Sequence, residues 1–344
     1  SVPEIWIAEG VYMPGTVETG RHATFALTEG MSLYGGFRKG GSTWKARNPG
    51  TYTTTLSGNV LDPPNGTGIL KRPIESAEEE RQDNVYHVLT AVDAESGGIM
   101  DQGVVVDGFV VRGGHANGIS AADRCGGALA VRNRRVQFSN CIFTDNFSGF
   151  GGAIYNYGGQ VALRGCTIAG NTASAWGGGL YSYRGEIHLD ACVLEDNYVG
   201  GLDRETGGAL CIEAAALVLR DCTVKPNYLV KGRTITGYDD VYGLVAHVTA
   251  RGTTRLENTY WNLIDCNLVG DGVLSVRQSS RFHCWGDEVV ECDLSGPALF
   301  SVSRLASLTI AGYSKVDLQG RGRITSCGPL TVKDDATDRK STRL

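Results

Sequence analysis

Few residues in this chain combine the type and spacing that chemistry needs. Asp239 and Asp240 stand side by side in Thr236-Gly-Tyr-Asp-Asp-Val-Tyr242, and two carboxyls are what glycoside hydrolysis uses. That reaction wants them opposed across the scissile bond, whereas neighbours in a polar stretch read first as a solvated turn or an incidental calcium site. Elimination from a uronate would need a basic proton acceptor beside a calcium-binding carboxylate cluster. Arg132, Arg134 and Arg135 could supply the base, but no acidic cluster shares their part of the chain. His115, in Gly113-Gly-His-Ala-Asn117, stands alone at a corner and reads as structural. The ten cysteines include no Cys-x-x-Cys, and none of the six histidines joins them at zinc spacing. The expectation is therefore no metal and no cofactor, with calcium the one ion the paired carboxyls could take.

What must position any such residue is a repeat. Gly-Gly-x-[Ile/Leu] is followed twelve residues on by Cys and five further on by Asn, four times in one register. The anchors are Leu129 with Cys141 and Asn146, Ile154 with Cys166 and Asn171, Leu180 with Cys192 and Asn197, and Leu210 with Cys222 and Asn227. The Cys-to-Cys steps are 25, 26 and 30 residues, because insertions fall only between the Asn and the next Gly pair. A fixed unit with one variable loop predicts stacked coils.

Inside each unit the spacing is that of strands. Apolar residues stand three and five before each Cys (Phe138 and Val136, Leu163 and Val161, Leu189 and Ile187, Leu219 and Leu217) and two after it (Phe143, Ile168, Leu194, Val224). Period two puts them on one face of short strands, with a two-residue bend before the Cys. A coil of about 25 residues then holds roughly three strands, paired in parallel with the coils above and below at about 4.8 Å. The prediction is an all-β, right-handed parallel β-helix. Its Gly pairs suit positive φ or close backbone approach, and its Asn column, at a corner where Asn tolerates left-handed backbone, can satisfy backbone groups and hydrogen-bond along the stack. The Cys column reads as buried thiols, although stacking would also bring neighbours within disulfide range.

The inward Leu/Ile column fixes what faces outward. Residues one and three further on read Ala130, Tyr155, Tyr181, Cys211 and Arg132, Tyr157, Tyr183, Glu213. Four tyrosines edged by Arg132 and Glu213 make a candidate binding surface for sugar rings or another protein. The opposing reading is that a loop covers them or that they pair only with one another.

One β-helix domain is expected over 1–332, with regular coils at about 104–227, looser coils before and after, and polar insertions at about 61–84 and 228–243. In the early coil, Phe109 takes the Cys position and Gly114 the Asn position. Further coils can be drawn around Cys266 and Cys292, and 333–344 is a charged tail. A net charge of −5 gives no electrostatic case for nucleic acid. No apolar run approaches the roughly 18 residues of a membrane helix. The chain opens in a strand pattern without a signal peptide, which reads as a trimmed or mature piece with an upstream coil missing.

Gly151-Gly-Ala-Ile154 and Phe143-Thr-Asp-Asn146 resemble the repeat of the chlamydial polymorphic outer-membrane proteins. Ile5-Trp-Ile-Ala-Glu-Gly-Val-Tyr12, Leu33-Tyr-Gly-Gly-Phe37, Thr55-Leu-Ser-Gly58 and Val106-Asp-Gly-Phe109 are similar to the heads of secreted bacterial members of that pectin-lyase-like superfold. The resemblance, over residues 4 to about 227, implies a secreted or cell-surface protein of a bacterium, often an adhesin or a wall-associated module, without agreed chemistry; with the tyrosine columns, the leading reading is a non-catalytic adhesion or glycan- or partner-contacting module. A polysaccharide lyase or glycoside hydrolase acting on an acidic polysaccharide is the alternative. A subunit of an extracellular array, self-associating through its solenoid ends, is a third reading.

Overall fold

The computed structural model describes residues 4–41, 43–60, 83–92, 103–200 and 207–228 with their side chains. Beyond Tyr228 it describes the backbone of strands as far as Arg323–Ser326. Asp239 and Asp240, Cys266, Cys292, the inserted stretch 61–82 and the tail 333–344 lie outside the described residues.

The chain is a right-handed parallel β-helix. Each regular coil runs through four strands, typified by Leu129–Arg132 (face 1), Arg135–Ser139 (face 2), Ile142–Thr144 (face 3) and Phe147–Phe150 (face 4). Among the described residues, like strands pair in parallel along the axis, giving sheets of eleven, nine and eleven strands on faces 1 to 3 and five parallel strands with one antiparallel neighbour on face 4. The register is the one the repeat dictates: Leu129 pairs with Ile154, Ile154 with Leu180, and Leu180 with Leu210. In the early coil Val110 pairs with Ile142, which sets Phe109 beneath Cys141.

Face 4 corrects the expected count of three strands per coil. The residues after each Asn do not leave at once as a loop. Phe147 pairs with Thr172, Thr172 with Tyr198, and Tyr198 with Tyr228, before the variable stretch begins. The stretch from Tyr228 onward is also more regular than a polar insertion: Tyr228–Lys231 and Thr234–Tyr238 pair antiparallel, and Val241–Leu244 takes the next rung of face 1.

The inward columns form one apolar core, with Leu129, Ile154, Leu180 and Leu210, the paired Val, Phe and Leu of face 2, and Phe143, Ile168, Leu194 and Val224 of face 3. Beside it runs a polar column that is equally buried. Asn146, Asn171 and Asn197 each donate through Nδ2 to a carbonyl of the coil before (Val111, Phe143 and Ile168, at 3.1, 2.9 and 2.9 Å). The same Nδ2 donates to the amide oxygen of the next Asn, at 3.0, 3.0 and 2.8 Å. That oxygen also accepts the backbone N–H of the Asn before it. Each side chain thus ties three consecutive coils, and buried amide groups find partners that a short strand end could not supply.

The left-handed backbone is not at the Asn itself but one residue earlier. Asp145 and Asp196 have φ of 57 and 53, and Gly170 shares their column at 67. A second column of this kind precedes the Cys: Asn140, Gly165, Ala191 and Asp221, with φ of 50, 59, 52 and 52. The Gly pairs divide the two tasks expected of them. The first glycine of each pair, Gly126, Gly151, Gly177 and Gly207, has positive φ. The second is pressed against a neighbouring coil, where a Cβ on Gly152 would meet the Gly178 carbonyl.

Asn171→Ala should lower the unfolding free energy by about 3 kcal/mol in chemical denaturation, because the Asn146 N–H and the Phe143 carbonyl lose buried partners. Asn171→Asp places a carboxyl oxygen among the carbonyls of Phe143 and Ala169 and the Asn197 amide oxygen. Its folded-state pKa is raised, so this variant should be most stable near pH 4 and lose stability as pH rises toward 7. At the corners, Ala191→Gly should stabilise by up to about 1 kcal/mol by relieving left-handed strain. Gly151→Ala should destabilise instead, since its Cβ would meet the Ile154 carbonyl at positive φ.

Candidate functional site

On the outside of face 1 the columns stand where the repeat puts them. Tyr155 pairs with Tyr181 and Tyr181 with Cys211, while Arg132, Tyr157, Tyr183 and Glu213 pair in sequence beside them. Tyr155 and Tyr181 stack at 5.7 Å and 13°, and Tyr157 meets Tyr183 at 5.6 Å, tilted by 36°. The expected open two-by-two patch is nevertheless corrected. Tyr155 and Tyr181 are only 9% and 6% exposed, forming with Cys125 and Cys211 a second apolar cluster outside the main core. Tyr157 and Tyr183 are half-buried and keep part of their rings open.

What covers the inner pair is the residue immediately before each of the first three Gly pairs: Cys125, Phe150 and Trp176. These bridge to one another along the axis. The positive φ of the following glycine turns the chain sharply, so Trp176 lies over Tyr181 of its own coil and Phe150 reaches the same ring from the coil before. Phe150 meets Tyr181 at 5.9 Å, and Trp176 stacks on Tyr181 at 6.2 Å and 19°. Phe150 and Trp176 are themselves 5.2 Å apart, and Trp176 remains 38% exposed. Sequence reasoning placed this column in the variable loop; an aromatic directly before Gly-Gly in two successive coils was the available signal.

The surface is therefore a fixed aromatic floor with a half-open rim. Burial pushes the Tyr155 phenol up to about 12 and the Cys125 thiol beside it up to about 11. Tyr181 is pushed up as well, chiefly by burial and then by Glu213, whose carboxylate accepts its hydroxyl at 3.0 Å. Both phenols stay neutral at physiological pH and act as donors and stacking faces. Three guanidiniums lie over the rim rings: Arg124 over Phe150 at 6.0 Å, Arg132 over Tyr157 at 6.0 Å and Arg184 over Tyr183 at 5.0 Å. Arg124 and Arg184 were not among the sequence candidates.

The other candidates lie apart from this surface. His115 is buried, its ring edge-on to Phe147 at 5.0 Å and its carbonyl accepting from Arg21. Arg134 pairs with Glu29 at 3.8 Å, and Arg135 donates to Gln160 on face 2. Among the described residues no three His, Cys, Asp or Glu side chains come together as a metal site.

Cys141, Cys166, Cys192 and Cys222 are buried, unbridged thiols that point to backbone carbonyls of their own and the preceding coil, as Cys192 does to Leu163 at 3.3 Å. The hydrogen bond it gives to the thiol before it, together with burial, raises Cys192 to about 12, and Cys166 and Cys222 are raised in the same way. Peptide mapping after alkylation at pH 8 should find these four unmodified in the folded protein and modified after denaturation. Because the folded state holds the Cys166, Cys192 and Cys222 protons more tightly than the unfolded chain, stability should fall as pH rises above about 9.

A family model described as the right-handed β-helix region matches residues 99–260. No curated protein and no solved structure matches the chain. The match covers the regular coils and the first strands beyond them, and it agrees with the stacked parallel sheets of a right-handed β-helix.

Proposed function

We propose that this protein is a non-catalytic binding module, secreted or displayed at a bacterial surface, that holds a glycan of its partner against the aromatic surface over face 1. One observation carries the reading. Tyr155 and Tyr181 form a buried, stacked floor that fixes the half-open rings of Tyr157, Tyr183, Phe150 and the exposed Trp176. Rings held in this way lose little freedom on binding and suit stacking on the C–H faces of sugars. Their spacing along the axis repeats once per coil, so a ligand with a regular ring repeat meets the same surface twice. The likeness of Gly151-Gly-Ala-Ile154 and Phe143-Thr-Asp-Asn146 to a repeat of surface proteins supports the location.

A glycan array tests this directly. The intact chain should bind a defined subset of glycans, and Tyr157→Ala combined with Tyr183→Ala should weaken that binding by more than about tenfold. The Leu/Ile core lies on the other side of the sheet, so the double variant should keep its cooperative unfolding. Unchanged affinity in a folded double variant would contradict the reading.

A further inference from the structure

The rim of this surface carries more positive charge than it needs for folding. Arg124, Arg132 and Arg184 each lie over an aromatic ring, and none of them pairs with a carboxylate among the described residues. Arg124 and Arg132 both act electrostatically on the Cys125 thiol, so they flank one point of the floor. The acids nearby are already engaged: Glu213 accepts from Tyr181, and Asp123 accepts from Ser120 and faces His22 at 3.5 Å. All this stands on a chain whose net charge is −5.

Arg184 adds an independent observation. Its φ is 54, in the corner column where Asn133 and Gly158 occupy the two preceding coils. A long β-carbon-bearing side chain is held there in left-handed backbone, with its guanidinium over the half-open Tyr183 ring.

We infer that the surface selects an anionic glycan, its sugar rings stacking on Trp176, Tyr157 and Tyr183 and its carboxylate or sulfate groups meeting Arg124, Arg132 and Arg184. Guanidiniums stacked on rings keep their N–H edges free for bidentate contact with such oxyanions. This rests on the reading of the aromatic surface as a glycan site and narrows it to one ligand class.

The test uses an array of neutral, uronate-containing and sulfated glycans, with the intact chain, the Tyr157→Ala/Tyr183→Ala variant, and a variant combining Arg124→Gln, Arg132→Gln and Arg184→Gly. Thermal unfolding is measured alongside, and Arg184→Gly alone should unfold at a higher temperature while binding more weakly. The inference expects the carboxylated or sulfated glycans to bind, with affinity falling about tenfold or more between low and high salt and by at least as much in the arginine variant. Equal binding of neutral glycans, unchanged in the arginine variant but lost in the tyrosine variant, overturns the anionic class and leaves the glycan site standing. Binding of no glycan at all overturns both. Tighter binding of single-stranded oligothymidylate than of any glycan, abolished by the same arginine changes, overturns the glycan in favour of a nucleic acid.

Discussion

Everything in this fold depends on vertical registration, and the Asn column enforces it. A strand of three to five residues pairs weakly by itself, and stacked coils could slip by two residues without misplacing an apolar side chain. The buried Asn amides forbid that slip. Each one needs a carbonyl from the coil before and an amide oxygen from the coil after, so a displaced coil would bury several unpaired polar groups at once. The Cys column beside it adds packing and weak thiol hydrogen bonds but little discrimination, since Phe109 fills the same rung in the early coil.

Fixed registration has a consequence on the outside. Columns there are not selected by the core, yet they inherit its spacing, so whatever residues they carry are presented at one-coil intervals on a rigid sheet. The aromatic surface over face 1 uses this twice, once in the Tyr155–Tyr181 floor and once in the Tyr157–Tyr183 rim. The Gly pair connects core and surface. Its first member turns the chain through positive φ, and in doing so it lays Phe150 and Trp176 onto the tyrosines of face 1.

The inner half of this arrangement was legible in the sequence because burial imposes residue type. Period-two Val, Leu, Ile and Phe around each Cys, and an invariant step to the Asn, leave one solution for which side chains face inward. The fourth strand was not legible, because its paired residues (Phe147, Thr172, Tyr198 and Tyr228) keep no single type or polarity along the stack, and its buried positions are as unlike as Ser148, Ala173 and Val199. The outward direction of Tyr155 and Tyr181 could be read, but not their burial, because the residues that cover them belong to the turn before the repeat's first glycine. Left-handed corners were misplaced by one residue for a related reason: the Asn side chain is needed for the ladder, so the strained conformation moves to Asp145, Gly170 and Asp196 just before it.

Residue-resolved amide hydrogen exchange across 129–227 tests the registration claim most directly. The backbone N–H groups of Asn146, Asn171 and Asn197, each bonded to the next Asn amide oxygen, should exchange only through global unfolding and at one common free energy. Exchange of the three at separate, lower free energies, coil by coil, would show that the coils open independently and that the Asn column does not hold the stack in register.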